Sequence, residues 1–380
     1  MYRICIVTSI HPDYDKRVWR HAKSLVASGA EVHLICPWDI PCRSVIDGVH
    51  IISFERVQGR KSRLFKLPYR MAPLILKTIR HVDLLHFHDI DLLPMMMLAR
   101  FIRPIVYDVH ENYPDEMLVR YWVPDLLRKP LYWLVRSGQY LASLVIRNIV
   151  LVVPAQERDF PKRFVRKTIV RNYGSTALLE QVSGDYPSRA RRIAFIGSQY
   201  PENGTFLVLE IATCLKASGV EVEILCSDRF SSKVLRAEFL RRVQALGIER
   251  HITLVPNVPA PEIMDILNQA RIGLLVNLRV PKQEKALPTR LFEYMAAGLP
   301  VVASDLPLIV HYVSDANCGL LAKPEDPQSF SSAIARLLDD EKMAMNMGRS
   351  GQHAFIDRFS WESQIPGLLS FYDKILGVAK

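Results

Sequence analysis

The sequence predicts two doubly wound, Rossmann-like α/β domains, and three observations carry that reading. The chain has 380 residues, more than one hydrophobic core ordinarily organises. A strand–helix–strand pattern occurs twice in nearly the same words, LVASGAEVHLIC at 25–36 and LKASGVEVEILC at 215–226. Apolar runs such as VDLLHFHD and PIVYDVHE end in polar residues. Buried parallel strands look like this, with ligand-contacting groups at their carboxyl ends.

Taken in order, RICIVTS (3–9) reads as a buried strand. A helix follows from about Asp15 to Ser28, with Val18, Ala22, Leu25 and Val26 on one face. Gly29 closes it in the left-handed region, and EVHLICP is the next strand. VDLLHFHD and PIVYDVHE continue the first sheet. The polar stretch 172–190, carrying Gly, Ser and Pro, marks a boundary. Beyond it, RIAFIGS, EVEILCS, HITLVP, RIGLLVNL, PVVASD and GLLAK alternate with helices. The tail FSWESQIPGLLSFYDKIL reads as an amphipathic helix capped at Ser360, with Glu362 close behind. It is expected to bury Leu368, Leu369, Phe371, Tyr372 and Ile375. The expected domains are 1–175, completed by the 358–380 helix, and 186–357. They are expected to face each other across a cleft at the carboxyl ends of their sheets, which suits an enzyme joining two substrates.

Composition narrows the class. Hydrophobic residues at 49% and charged residues at 23% describe a globular chain. The net charge of +10 favours an anionic partner, whether nucleic acid, acidic membrane or phosphorylated substrate; a generally basic surface is the plainer alternative. The six cysteines form no CxxC pair and no zinc spacing. Several sit within apparent strands, so buried free thiols and a cytoplasmic location are expected. MYRICIVTSIHPD lacks the pattern of a signal peptide. YLASLVIRNIVLVVP, the longest apolar stretch, is interrupted by Arg147 and Asn148, so no spanning helix is expected. No GxGxxG, GK or GxSxG string occurs, which removes the usual signs of nicotinamide dehydrogenases, P-loop NTPases and α/β-hydrolases.

The most informative stretch is PTRLFEYMAAGLPVVASDLP, 288–307. Pro288 suits a first helical turn, where its missing N–H costs nothing. The amides of Thr289, Arg290 and Leu291 would then point at an anion, assisted by the helix dipole. Arg290 adds a fork of donors matched to phosphate oxygens. Glu293, one turn on, would accept hydrogen bonds from ribose hydroxyls. A nucleoside diphosphate meets both demands. An acid that merely favours the helix dipole, beside a solvated Arg290, is the competing reading.

This string resembles the donor-site motif of GT-B glycosyltransferases of the family 4 type (glycosyl transferases group 1). The resemblance extends along the chain through DKRVWRHAKSLVASGAEVHLI, VDLLHFHDIDLLP, VYDVHENYP and FSWESQIPGLLSFY. It implies a GT-B fold and transfer of a sugar from a nucleotide-sugar with retention of configuration. It also implies donor binding without a metal or other cofactor. Donor-binding positions carried over are Gly197, Ser198, Lys285, Leu287, Pro288, Thr289, Arg290, Leu291 and Glu293. Catalytic positions are His110, Glu284 and Arg290; acceptor-side positions are His11, Asp15, Arg17, His88, Asp89 and Glu111.

Two departures stand out. The family's first motif acid would fall on Lys285, with Glu284 one residue earlier. The loop GSQYPENG has Ser198 and Asn203 where members often carry Arg and Lys, so the diphosphate charge is expected to rest more on Arg290, with Lys285, and on the helix N-terminus. His86 and His88 share a strand face, but the sequence shows no third ligand for a metal beside them. Basic residues lie among aromatics through 119–171 and in KSRLFKLPYRMAPLILKTIR. Both stretches suit an anionic lipid surface or, equally, ordinary solvated helices. The expected partners are a nucleotide-sugar, a lipid-linked or saccharide acceptor in bacterial surface polysaccharide or glycolipid assembly, and an anionic membrane, but not nucleic acid. A GT-B-like sugar-nucleotide epimerase and a non-enzymatic basic membrane-binding protein are the alternatives.

Overall fold

The computed structural model describes residues 2–11, 16–39, 42–119, 123–256, 258, 262–284 and 287–378. Asp15, Lys285 and the basic-aromatic run 120–122 lie outside these residues. The chain divides into two compact units, Met1–Asn172 with Gln364–Lys380, and Tyr173–Ser363.

Unit 1 follows the chain through β1 (Arg3–Val7), α1 (Lys16–Ala27), β2 (Glu31–Trp38), β3 (Arg43–Ile46), β4 (Val49–Glu55) and α2 (Arg60–Thr78). It continues with β5 (Leu84–Phe87), α3 (Leu93–Ala99), β6 (Ile105–Val109), α4 (Tyr113–Val119), α5 (Asp125–Ile146), β7 (Asn148–Leu151) and β8 (Arg166–Ile169). Among the described residues these strands form one sheet in the order β3-β4-β2-β1-β5-β6-β7-β8, parallel except at β3. The connections β4–α2–β5, β5–α3–β6 and β6–α5–β7 all move the same way across the sheet. Right-handed crossover therefore lays α2, α3 and α5 on one face. Leu67 and Met71 of α2, Met96 of α3 and Ile146 of α5 meet there over Val7, Phe87 and Tyr107. The connection β1–α1–β2 runs the other way and puts α1 on the opposite face.

Unit 2 runs through β9 (Arg192–Phe195), α6 (Leu207–Ala217), β10 (Glu223–Ser227), α7 (Lys233–Ala245), β11 (Ile252–Val255), α8 (Ile263–Leu267) and β12 (Ile272–Leu275). Then come α9 (Pro281–Glu284), α10 (Arg290–Ala296), β13 (Val301–Ser304), α11 (Pro307–Ala316), β14 (Gly319–Ala322), α12 (Pro327–Asp339) and α13 (Glu341–Asp357). Its described strands form a parallel sheet, β11-β10-β9-β12-β13-β14. The last helix, α14 (Ile365–Leu376), belongs to unit 1.

The two expected helix starts fare differently. Ser360 caps as expected: its hydroxyl accepts from the Ser363 amide at 3.2 Å, at the head of a 3-10 turn, Glu362–Gln364, that runs into α14 at Ile365. Ser360 also bridges to Gly174. Pro366 then sits in the first turn of α14, where proline fits. The motif helix begins at Arg290 rather than Pro288. The Leu291 amide donates to the Pro288 carbonyl at 3.0 Å, so it does not join the expected set of amides facing an anion. Gly298 closes α10 at φ +65°, as its position in the motif required.

Candidate functional site

In unit 2 the site grows from the end of β9. Leu291, Phe292, Tyr294 and Met295 are wholly buried and fix α10 in the core. The Tyr294 hydroxyl bridges to β9, donating to the Ala194 carbonyl at 2.9 Å and accepting from the Ile196 amide at 3.1 Å. This places the start of α10 under the turn at Gly197. A Cβ at Gly197 would lie 3.3 Å from Arg290 Nη1, and its φ of +119° suits glycine. Arg290 is 7% exposed. Its guanidinium donates to the Ile196 carbonyl at 3.0 Å and to Asn277 Oδ1 at 3.4 Å, and lies against the Phe195 ring. Burial pulls its pKa below the usual arginine value. Among the described residues no carboxylate makes an ion pair with it. The solvated Arg290 of the competing reading is therefore not what the fold builds.

An amide network that sequence reasoning passed over supports the same turn. Asn277 donates to Gln283 at 2.7 Å, Gln283 to Asn203 at 2.8 Å, and Asn203 to the Ser198 carbonyl at 2.8 Å. Ser198 is thus linked to Arg290 through Asn203, Gln283 and Asn277, and Gly197 lies against the Arg290 side chain. Glu293 is half-buried one turn along α10, and Leu287 and Pro288 are half-buried just before it. Thr289 is exposed at the head of α10. Glu284 closes α9, with its carboxylate 3.8 Å from Arg279.

In unit 1 the carboxyl ends of β1, β5 and β6 converge. Asp89 accepts from the Thr8 hydroxyl at 2.7 Å and the Ser9 amide at 2.6 Å. Burial alone would raise its pKa, but His11, Ser9 and Thr8 outweigh that and hold it below the usual carboxylate range. His11 Nε2 lies 3.4 Å from Asp89 Oδ1 and 3.1 Å from His110 Nε2. A ring-to-ring contact of that length needs one N–H and one lone pair. Burial lowers the pKa of His110, so its neutral form is favoured. Ser9 reaches Asp91, which Arg63 also holds.

Beneath lies a buried polar chain. Arg17 grips Asp108 with two contacts of 2.9 Å and also donates to the Val170 carbonyl. His86 stands 3.4 Å from Asp108 on one ring nitrogen and 2.6 Å from the Tyr372 hydroxyl on the other. Tyr372 also meets His21 at 2.9 Å. Burial raises the Asp108 pKa, but Arg17, His88 and His86 together carry it well below its ordinary value. Burial drives His21 and His88 well below theirs. Among the described residues neither ring nitrogen of His88 has a hydrogen-bond partner, and its Nδ1 lies 3.6 Å from Asp108 Oδ2.

Of the acceptor-side expectations, His11 is half-buried and Glu111 exposed, whereas Arg17, His88 and Asp89 are buried. The third ligand that the sequence did not show beside His86 and His88 is present in space. His21 and Asp108 place donor atoms within 4.8 Å of theirs, and His11, Asp89 and His110 form a second such group. His21 lies one turn from Arg17 and Val18 on the buried face of α1, and Asp108 lies two residues before His110 on the same strand face. That spacing was the available signal for both.

Successive parts of the chain match two family descriptions, Glycosyltransferase Family 4 over residues 15–170 and Glycosyl transferases group 1 over residues 181–354. The chain belongs to the family 4 type of GT-B glycosyltransferases. Among this family's curated members, the D-inositol 3-phosphate glycosyltransferase of Corynebacterium urealyticum is 27% identical over 191 residues, 49% of this chain and 43% of that protein. The chain thus spans less than half the length of that relative. The MMP alpha-(1->4)-mannosyltransferase of Mycolicibacterium hassiacum is 23% identical over 292 residues, 74% of this chain and 68% of that one. The GT-B fold is shared with sucrose-phosphate synthase from Thermosynechococcus elongatus, at TM-score 0.72 and 14% identity, covering 99% of this chain and 100% of that one. It is shared too with Anabaena HepE in complex with UDP, at TM-score 0.67 and 16% identity, covering 97% and 100%.

Proposed function

We propose that this chain is a retaining glycosyltransferase that moves a sugar from a nucleoside diphosphate sugar to a lipid-linked saccharide. The observation that carries the donor half is Arg290. A cation held in the protein with only neutral oxygens as partners is costly, and a bound anion compensates it. On this reading the diphosphate lies at the Gly197–Ser198 turn and the head of α10, and Glu293 accepts from the ribose hydroxyls. Proteins of the same fold have been crystallised with UDP and with UDP-glucose, which puts UDP first among the nucleotides to try.

The acceptor hydroxyl oxygen attacks the anomeric carbon on the face from which the phosphate departs. The bond to phosphate breaks as the new glycosidic bond forms, and the acceptor proton passes to the departing phosphate oxygen. Protein groups offset the diphosphate charge, so donor binding needs no metal. His110, kept neutral by burial, hydrogen-bonds the transferred sugar. Glu284 takes the place of the first motif acid. A lipid-linked acceptor puts the enzyme on the cytoplasmic side of a membrane, bound peripherally; no described helix is long and apolar enough to cross one.

Thermal shift against UDP, GDP, ADP and CMP and their common sugars, with chelator present, tests the donor half. One nucleoside diphosphate should raise the melting temperature in wild type, and by clearly less in Glu293→Ala. Stabilisation that requires a divalent ion, or that is undiminished in Glu293→Ala, contradicts the placement.

A further inference from the structure

A helix lying on the sheet of a soluble domain buries one stripe and turns polar residues outward. α5 departs from that rule. It buries Gln139, Ala142, Ser143 and Ile146, while Leu126, Trp133, Leu134 and Leu141 point outward. At 100° per residue these four fall within an arc of about 100°. α2 repeats the departure: Phe65, Tyr69 and Leu76 fall within an arc of about 40°. Leu98 and Phe101 do the same at the end of α3, which packs on α5. All nine side chains are between 55 and 87% exposed. They are far apart in sequence, but the three same-direction crossovers gather their helices on one face of the unit 1 sheet. In unit 2 the exposed large apolar residues Tyr200, Val234, Leu246, Leu321 and Ile356 are scattered over the loop before α6, α7, the turn after it, β14 and α13.

The charge on this face decides what covers it. Residues 60–80, 93–104 and 125–147 hold thirteen Lys or Arg and one acidic residue, Asp125. Arg63, Arg70, Arg128 and Arg136 are paired, with Asp91, Glu55, Asp125 and Asp159. Lys66, Lys77 and Lys129 are exposed and make no ion pair among the described residues. Aromatic and aliphatic side chains set among unpaired lysines suit acyl chains beneath anionic headgroups. We propose that the outer face of α2, α3 and α5 is a membrane-docking plane for an anionic lipid bilayer. This deepens the lipid-linked-acceptor reading, since such an acceptor must be reached at a bilayer. It also assigns docking to 60–141 and not to the basic strand β8, where Arg166 and Lys167 lie.

Flotation of the full chain with phosphatidylcholine vesicles, with and without phosphatidylglycerol, tests the plane. Wild type should float with the phosphatidylglycerol vesicles. Phe65→Ser/Trp133→Ser/Leu134→Ser and Lys66→Ala/Lys77→Ala/Lys129→Ala should each weaken binding at least tenfold, with unchanged melting temperature. Arg166→Ala/Lys167→Ala should bind as wild type. Wild-type failure to float, full binding by the first two variants, or loss in the β8 variant overturns the plane. So does a dimer in size exclusion that the serine variant abolishes, because a second copy would then cover the face. Thermal shift with UDP on the same samples separates the two readings: nucleotide binding without flotation rejects only the plane, and flotation without nucleotide binding rejects only the donor site.

Discussion

Arg17 in unit 1 and Arg290 in unit 2 are both buried, and their partners differ in kind. Arg17 is held by a carboxylate, Asp108, at 2.9 Å. Arg290 is held by a backbone carbonyl and an amide oxygen, 3.0 and 3.4 Å away. The first pair is neutral as a whole. The second leaves a positive charge under a glycine turn at the end of a parallel strand, where such sheets bind ligands. Equal burial therefore means different things. Arg17 braces α1 against β6, and on the proposed function Arg290 would face the donor's diphosphate.

The largest expected effect breaks the first pair. Arg17→Met should cost about 3–5 kcal/mol in urea unfolding, because it strands the Asp108 charge in the interior. Arg17→Met/Asp108→Leu should regain most of that loss. An equally unstable double variant would mean that Arg17 acts through packing and not through charge. Arg290→Met strands no carboxylate, so its stability should change by no more than about 1–2 kcal/mol. Nucleoside diphosphate affinity, read by calorimetry, should instead fall about 10–100-fold, or roughly 1.4–2.8 kcal/mol.

Glu293→Ala should be milder, at about tenfold for nucleotides with a free ribose, or roughly 1.4 kcal/mol. Inorganic pyrophosphate should bind that variant as it binds wild type. A shared loss would move Glu293 from the ribose to the loop.

The smallest effect concerns pH. Burial lowers the pKa values of His21, His86 and His88. Below about pH 6.5 the unfolded chain then binds more protons than the folded one, and stability falls as pH falls. The depressed Asp108 adds to this at lower pH, since its contribution is lost as pH drops through its folded value. His88→Leu removes a ring that has no hydrogen-bond partner among the described residues. It should flatten the slope between pH 7 and pH 5 and raise stability at the acid end by about 1 kcal/mol. An unchanged slope would assign the acid loss to other groups.

The contrast between the two arginines also marks what the sequence could disclose. The motif around Arg290 is contiguous, and a helix followed by a buried strand leaves a periodicity that can be read. Gly197, Arg290 and Glu293 could be named for that reason. The start of α10 could not, because it depends on the Pro288 carbonyl closing a tight turn onto Leu291. Arg17 was legible as a candidate, but its partner was not. Asp108 lies within a strand whose neighbours read as sheet core, and Tyr372 reaches His86 and His21 from a helix at the far end of the chain. Such long-range polar pairings leave no period in sequence. The outward apolar stripe of α5 was visible only as aromatics among basic residues, since which side a helix buries depends on the sheet beneath it.

One measurement bears most directly on the account: calorimetric titration of UDP into wild type and Arg290→Met, in chelator, with Arg189→Met as a control. Arg189 is also buried, but it donates to the Ala297 carbonyl at the end of α10, where the helix dipole compensates it. Wild type and the control should bind, and Arg290→Met should lose at least tenfold in affinity. Equal affinity in wild type and Arg290→Met would contradict it, and the donor diphosphate would have to lie elsewhere.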